Sequence, residues 1–358
     1  MIWKFDDLKI NWKLVIGYWS FGYGLPSSVF GLLFLLFISC KPKHPDVSNI
    51  EVNLQIERFE KDLFSISSGD TNAVKALEEK YGEFFQYYFH DLKTLWEKDS
   101  TANWLDSVAA YTHQSSLRAM FDSTMLQYDN LSSFENDLTA SLKYFQYYFP
   151  EENIPELITL INSPPPGYSA FPFDEETVCV SLDQYLGANF SYYKFEGVPQ
   201  YLVRKFSKEY MVADVMNVIL RMKLEPDSAV SNLLDAMVRN GKFMYLKKQC
   251  MPDAPDSIIT GFAEKDLEWM KKNESQVWKY YIAHDLLYAT DPLEFMKYVY
   301  KSPNTTGMPP EAPGNTGSWV GWRIVSSYMK KNPATTPAEL MEIGSAQEIL
   351  SKSGYKPL

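Results

Sequence analysis

Hydrophobic and polar positions along this chain fall into a succession of distinct periods. The first is an unbroken apolar run, Val29 to Ile38 within "SSVFGLLFLLFISC" (27–40), closed by Ser39 and Cys40 and followed abruptly by the polar "KPKHPD" (41–46). That run is short for a bilayer span and has the length of a secretory hydrophobic segment. Next, "VNLQIERFEKDLF" (52–64) alternates Val52, Leu54 and Ile56 before Phe59, which predicts an edge strand over 52–59 running into a turn. From 71 to 149 apolar residues recur every three or four positions, the period of helices packed on a core. Period two then returns in "ELITLINS" (156–163), after the "PPPGYSAF" turn (164–171), and in "ETVCVSLDQYLG" (176–187), predicting a small sheet shared with the strand at 52–59. Beyond it the pattern is helical at 204–222, 228–240, 256–272, 274–289, 291–300, 317–331 and 337–350. Strands gathered early and helices late predict an α+β fold, mostly helical, in place of alternating βαβ units.

Composition adds compartment and excludes some partners. The 358 residues carry 46% apolar and 22% charged side chains, as a globular core requires. Aromatics reach 15%, and "FFQYYF" (84–89) nearly repeats as "YFQYYF" (144–149). Nothing around these strings repeats, so both read as ring-rich helix faces on a shared core. The net charge is −11, and no basic run in the sequence suits a phosphate backbone, which argues against nucleic acid as a partner. Cys40 after Ser39 resembles a bacterial lipobox, although Phe37 stands where Leu is usual. The domain plan is then a lipoprotein signal peptide over 1–40 ending at the lipidated Cys40, a tether over 41–50 and one domain over 51–358. An uncleaved anchor over 14–39 is the alternative, and both place the body outside the cytoplasm. Cys179 and Cys250 remain in the body, expected as separate buried thiols, with a disulfide as the other possibility.

The helix "RKFSKEYMVADVMNVILRM" (204–222) carries the candidate chemistry. Ser207, Tyr210, Asp214, Asn217 and Arg221 share one face at 3,4,3,4 spacing, opposite Val212, Val215, Met216 and Ile219. Structurally, Asp214 would be solvated or paired, most simply with Arg221 through neighbouring groups. Functionally, a small sheet followed by a long helix is the order of zincin metallopeptidases, whose H-E-x-x-H places two zinc-binding imidazoles one turn apart around a general base. The corresponding string here is "ADVMN" (213–217), with Ala213 and Asn217 in the ligand slots and Asp214 in that of the base; the next helix offers Asn240. Neither Ala nor an amide holds zinc, so no cofactor is expected. His44, His90, His113 and His284 are scattered, and His284 beside Asp285 reads first as a hydrogen-bonded structural residue. Gly314, Gly317 and Gly321 miss the dinucleotide fingerprint; Gly317 and Gly321 are one helical turn apart and predict a close approach by another backbone or ring.

"IERFEKDLF", "NGKFMYL" (240–246), "NESQVWKYYIAHDLLYATD" (273–291), "PGNTGSWVGWRIVSSYM" (313–329) and "AQEILSKSGYKPL" (346–358), with the lipobox-like Cys40, together resemble the gliding motility-associated lipoprotein B (GldB) family. That family is distantly similar to predicted zinc peptidases sharing the helix matched here by Gly317, Gly321, Ile324, Val325 and Tyr328. The resemblance implies a zincin-like scaffold without its metal, a pseudoenzyme anchored by lipid (palmitate) at Cys40 in the cell envelope and facing the periplasm. Its implied partners are envelope proteins of the motility and secretion machinery. A partner is then expected in the old cleft, lined by Ser207, Tyr210, Asp214, Asn217 and Arg221, or on the aromatic surface. Catalytic residues are not carried over. The alternatives are an envelope hydrolase using Asp214, Tyr210 and His284, and a glycan- or peptide-binding lipoprotein with a row of exposed rings.

Overall fold

A computed structural model describes residues 44–93, 104–162, 169–226 and 229–357. The expected signal peptide over 1–40, with Cys40, and residues 41–43 of the expected tether lie outside the described residues. Within the compact unit Pro45–Leu358, strand β1 (Ile56–Arg58) is shorter than its alternation predicts, and helix α1 (Phe59–Phe64) replaces the expected turn. The reason lies in what the chain buries there. Phe59 turns into a ring cluster, with Tyr81, Phe84 and Tyr88 centroids 4.8–5.0 Å away. The adjacent Glu60 is also buried, accepting from Arg58 Nε at 2.6 Å and Thr159 Oγ1 at 2.7 Å.

Helix α2 (Thr71–Gln86) starts where the Asp70 carboxylate accepts the Ala73 N–H, and it passes into a π-helical turn over Tyr87–Leu92. Helices α3 (Trp104–Tyr111), α4 (Ser115–Tyr128) and α5 (Ser132–Tyr148) follow. Phe84, Phe85, Tyr88 and Phe89 from the first aromatic string and Phe145 and Phe149 from the second enter one core, as the repeated pattern predicts. Each ring buries a large area, and edge-to-face pairs add roughly 0.5–1.5 kcal/mol apiece.

The sheet holds β1, β2 (Glu156–Leu160), β3 (Ala170–Pro172) and β4 (Thr177–Ser181) in the order β1-β2-β4-β3. The first three in that order are parallel, and β3 runs antiparallel along the edge. The fold is thus α+β, mostly helical with a small mixed sheet. After β4 the predicted strand gives way to a 3-10 turn over Leu182–Tyr185, because buried Asp183 accepts the Asn162 N–H and Tyr193 Oη donates to the Asp183 carbonyl.

Short helices α6 (Ser191–Phe195) and α7 (Gln200–Val203) lead to α8 (Lys208–Leu224). The predicted helix starts four residues late. An isolated bridge between Leu186 and Ser207, with Gly187 N–H donating to the Phe206 carbonyl, holds the chain extended there. Helix α9 (Leu233–Cys250) outruns its predicted end at 240, since the interior Gly241 does not stop it. Helix α10 (Asp256–Thr260) ends at the left-handed Gly261, and α11 (Glu264–Ala283) runs unbroken through the predicted boundary near 273. Then come α12 (Pro292–Phe295), α13 (Thr316–Lys331), α14 (Pro337–Glu342) and α15 (Ala346–Ser353).

The close approach foreseen at Gly321 occurs between α9 and α13. A methyl at Gly321 would overlap the Met237 backbone, and one at Gly241 would overlap the Gly321 backbone. Interior glycine costs a helix about 1 kcal/mol, and here it lets the two axes come within backbone contact. Helix α9 also joins two cores. Its Met237 and Val238 pack with Trp319 and Val320 of α13, while Phe243 and Leu246 pack with the aromatic core and α8.

Candidate functional site

A cleft of about 770 Å³ lies between α8, α9, the end of α10, and the segment before α13. Tyr210, Asp214, Asn217 and Arg221 of the predicted stripe line it; Ser207 does not, and serves as the N-cap residue of α8. The opposite face is buried as its period requires, with Val215, Met216 and Ile219 fully covered and Val212 partly so.

Asp214 is not partnered by Arg221. Its Oδ2 accepts from the buried Tyr185 hydroxyl at 3.3 Å. Arg221 turns away, holding Glu225 Oε1 and Asn240 Oδ1 at 3.0 Å each, with its guanidinium carbon 4.4 Å from the Phe243 ring centre. A planar guanidinium suits this combination of fork and ring stacking. Asn240 then donates to Ser318 Oγ at 2.8 Å, tying α8 to α13 through α9. Tyr210 accepts from Arg204 Nη1 at 2.6 Å.

The positions equivalent to a zinc motif separate. Ala213 is buried, whereas Asn217 and Asn240 share the cleft with Asp214. Among the described residues no group of three or more His, Cys, Asp and Glu side chains could hold a metal ion. The cleft residues do not fit zinc: the ligand slots carry a methyl and amides, and ammonium groups stand around Asp214.

Those ammonium groups are the residues that sequence reasoning missed. Lys205, Lys247 and Lys301 line the cleft, with Arg239 further along. Burial pushes Lys205 down to about 7, helped by repulsion from Lys301 and opposed by Asp214. Burial likewise pushes Lys247 down to about 8, with Asp214 opposing. The sequence holds no basic run because these cations come from separate segments: the turn before α8, the buried side of α9, and the loop before α13. One signal was available. Lys247 lies four residues after Phe243 and three before Cys250, on an apolar helix face. That signal needed the helix to continue past 240.

The other candidates disperse. His284 is exposed, makes no hydrogen bond to Asp285, and stacks on Tyr280 with centroids 4.3 Å apart. It does not line the cleft, so Asp214, Tyr210 and His284 are not assembled. Exposed Tyr147, Phe195, Tyr288 and Tyr300 come from different elements, and of these Tyr300 alone lines the cleft. Cys179 and Cys250 are separate buried thiols, as expected, with burial pushing both well up. Among the described residues no helix is long and apolar enough to cross a membrane.

The profile of the family described as "Gliding motility protein GldB" matches residues 40–357. No curated protein and no solved structure matches the chain. The chain belongs to the GldB family, a family of gliding-motility lipoproteins.

Proposed function

We propose, from that membership and from the cleft, that this is a non-catalytic lipoprotein supporting gliding motility and its associated secretion machinery by binding a protein between α8 and α9. Cys40 would carry the lipid and residues 41–50 the tether, holding the body over 51–358 at the envelope surface on the periplasmic side. The zincin-like reading draws support from the order of elements, with a mixed sheet ahead of α8 and Asn240 of α9 meeting Asp214 in one cleft.

The observation that carries binding over catalysis is the chemistry of that cleft. Its acid, Asp214, is held by Tyr185, and its lysines hydrogen-bond to no hydroxyl or thiol that they could activate. A nucleophile and its base need to be within hydrogen-bond reach and open to substrate. Among the described residues the pair in reach here is Tyr185–Asp214, and its hydroxyl is fully buried, outside the cleft lining, and pushed well up by that burial. What the cleft does offer is a concave surface with polar groups pointing inward, as binding sites do.

A photo-crosslinking residue placed at Asn217 in gliding cells tests this, with Leu126, 89% exposed on α4, as the control position. A covalent adduct with another envelope protein is expected from position 217 and not from 126. Adducts from both positions alike, or from neither, would sink the reading.

A further inference from the structure

Other cations drawn partly or wholly out of solvent have an oxygen to hold. Arg58 has Glu60, Lys93 has the Asn162 carbonyl and amide oxygen, and Lys242 has the Ile343 and Met341 carbonyls. The cleft departs from this rule. Lys247 is 9% exposed, yet among the described residues its ammonium has no hydrogen-bond or ion-pair partner, and neither do those of Lys205 and Lys301. Glu225 is engaged by Arg221 at 3.0 Å and approached by Arg239 at 4.0 Å, so it is not available to them. Asp214, held by Tyr185, is the one remaining acid lining this cleft. A chain of net charge −11 therefore gathers an excess of positive charge in one concavity. Field lines concentrate in such a low-dielectric cleft and draw in anions.

Size narrows the anion. A second cavity of about 600 Å³ adjoins the first and shares Lys205, Gly261, Lys301 and Asn315 with it. Together the two cavities exceed one inorganic ion and have room for several residues of chain. Asn315, at the left-handed turn before α13, lines both cavities, and its Oδ1 is buried without a partner. An acceptor left dry in this way costs on the order of 1–3 kcal/mol. A peptide segment can carry several carboxylates to the separate lysines of both cavities, whereas a single phosphate or pyrophosphate meets only part of them.

We propose that these adjoining cavities receive an acidic peptide segment of the partner, its carboxylates seated at Lys205, Lys247 and Lys301. This rests on the reading that the cleft binds a protein, and adds the chemistry that selects it. A cation held largely out of water without an acid to pair it opposes folding, so the presence of Lys247 here is understandable where a ligand completes it.

Full-length protein in detergent micelles, titrated into fluorescein-labelled hexaglutamate or hexaglutamine and followed by anisotropy, tests the assignment. The acidic peptide should bind at least tenfold tighter, and K247M and the exposed-site K301M should each remove most of that advantage. The melting temperature of K247M should equal or exceed that of the parent, which shows that lost binding is not lost fold. Equal binding of the two peptides, an advantage that survives K247M and K301M, or pyrophosphate binding as tightly as hexaglutamate would each overturn it. A crosslink from position 217 combined with equal peptide binding would leave the protein-binding reading standing and remove the acidic one; absence of any crosslink removes the reading beneath both.

Discussion

Lys242 and Lys247 lie five residues apart on α9, and both are almost fully buried. Burial pushes each down to about 8. On one side of the helix, Lys242 donates to the Ile343 carbonyl at 2.7 Å and the Met341 carbonyl at 3.4 Å, fastening the end of α14 and the loop after it. On the other side, Lys247 faces the cleft and, among the described residues, donates to no protein atom. Equal depth and equal chemistry thus serve a structural joint in one place and an open site in the other. The difference teaches that burial of a charge alone does not mark function; burial with its bonding capacity unspent does.

The largest expected effect breaks both sides of this comparison at once. Gly321→Ala would drive a methyl into the Met237 backbone and force α9 away from α13. A loss of roughly 4 kcal/mol or more is expected, because backbone cannot yield as a side-chain tip can. Chemical denaturation would check it, and an unshifted midpoint would contradict the close packing.

Next comes the pH dependence of Lys247→Met. A lysine whose folded pKa lies below its unfolded value destabilises the fold fully below the lower value, and that cost fades as pH rises toward 10.5. The variant should therefore exceed the parent by about 2–3 kcal/mol near pH 6, with the gain vanishing by about pH 10.5. Parallel stability curves from pH 6 to 10.5 would count against a strained cation.

Lys242→Met sharpens the contrast. It relieves the same kind of burial but orphans the Ile343 and Met341 carbonyls, so it should fall short of Lys247→Met by roughly 2 kcal/mol. Amide hydrogen exchange across 343–346 should quicken in this variant and remain unchanged in Lys247→Met. The smallest effect belongs to Asp214→Asn, which removes the acid opposing Lys205 and Lys247 while keeping an acceptor for Tyr185. Hexaglutamate should bind roughly threefold tighter; weaker binding would mean that Asp214 itself contacts the ligand.

Much of the fold was legible in periodicity. The strands at 156–160 and 177–181 and the buried face of α8 follow from local alternation and 3.6-residue spacing. Boundaries were less legible where distant partners intervene. Phe59 leaves its strand for a ring cluster, and Gly241 remains helical because α13 crosses there. Of the site, the stripe Tyr210–Asp214–Asn217–Arg221 could be read from one helix. Its electrostatic character could not, and Arg221 went to Glu225 and Asn240 instead of serving Asp214.

The sequence by itself determined the elements, the α+β class, the family, and the near-absence of metal-binding side chains at the motif positions. These depend on neighbours within a few residues, whose relative geometry a helix or strand sets. Only the tertiary structure decided that Lys205, Lys247 and Lys301, separated by 42 and 54 residues of chain, converge around one acid. Electrostatic energy depends on distance through space and on exclusion of water, and neither is a property of order along the chain.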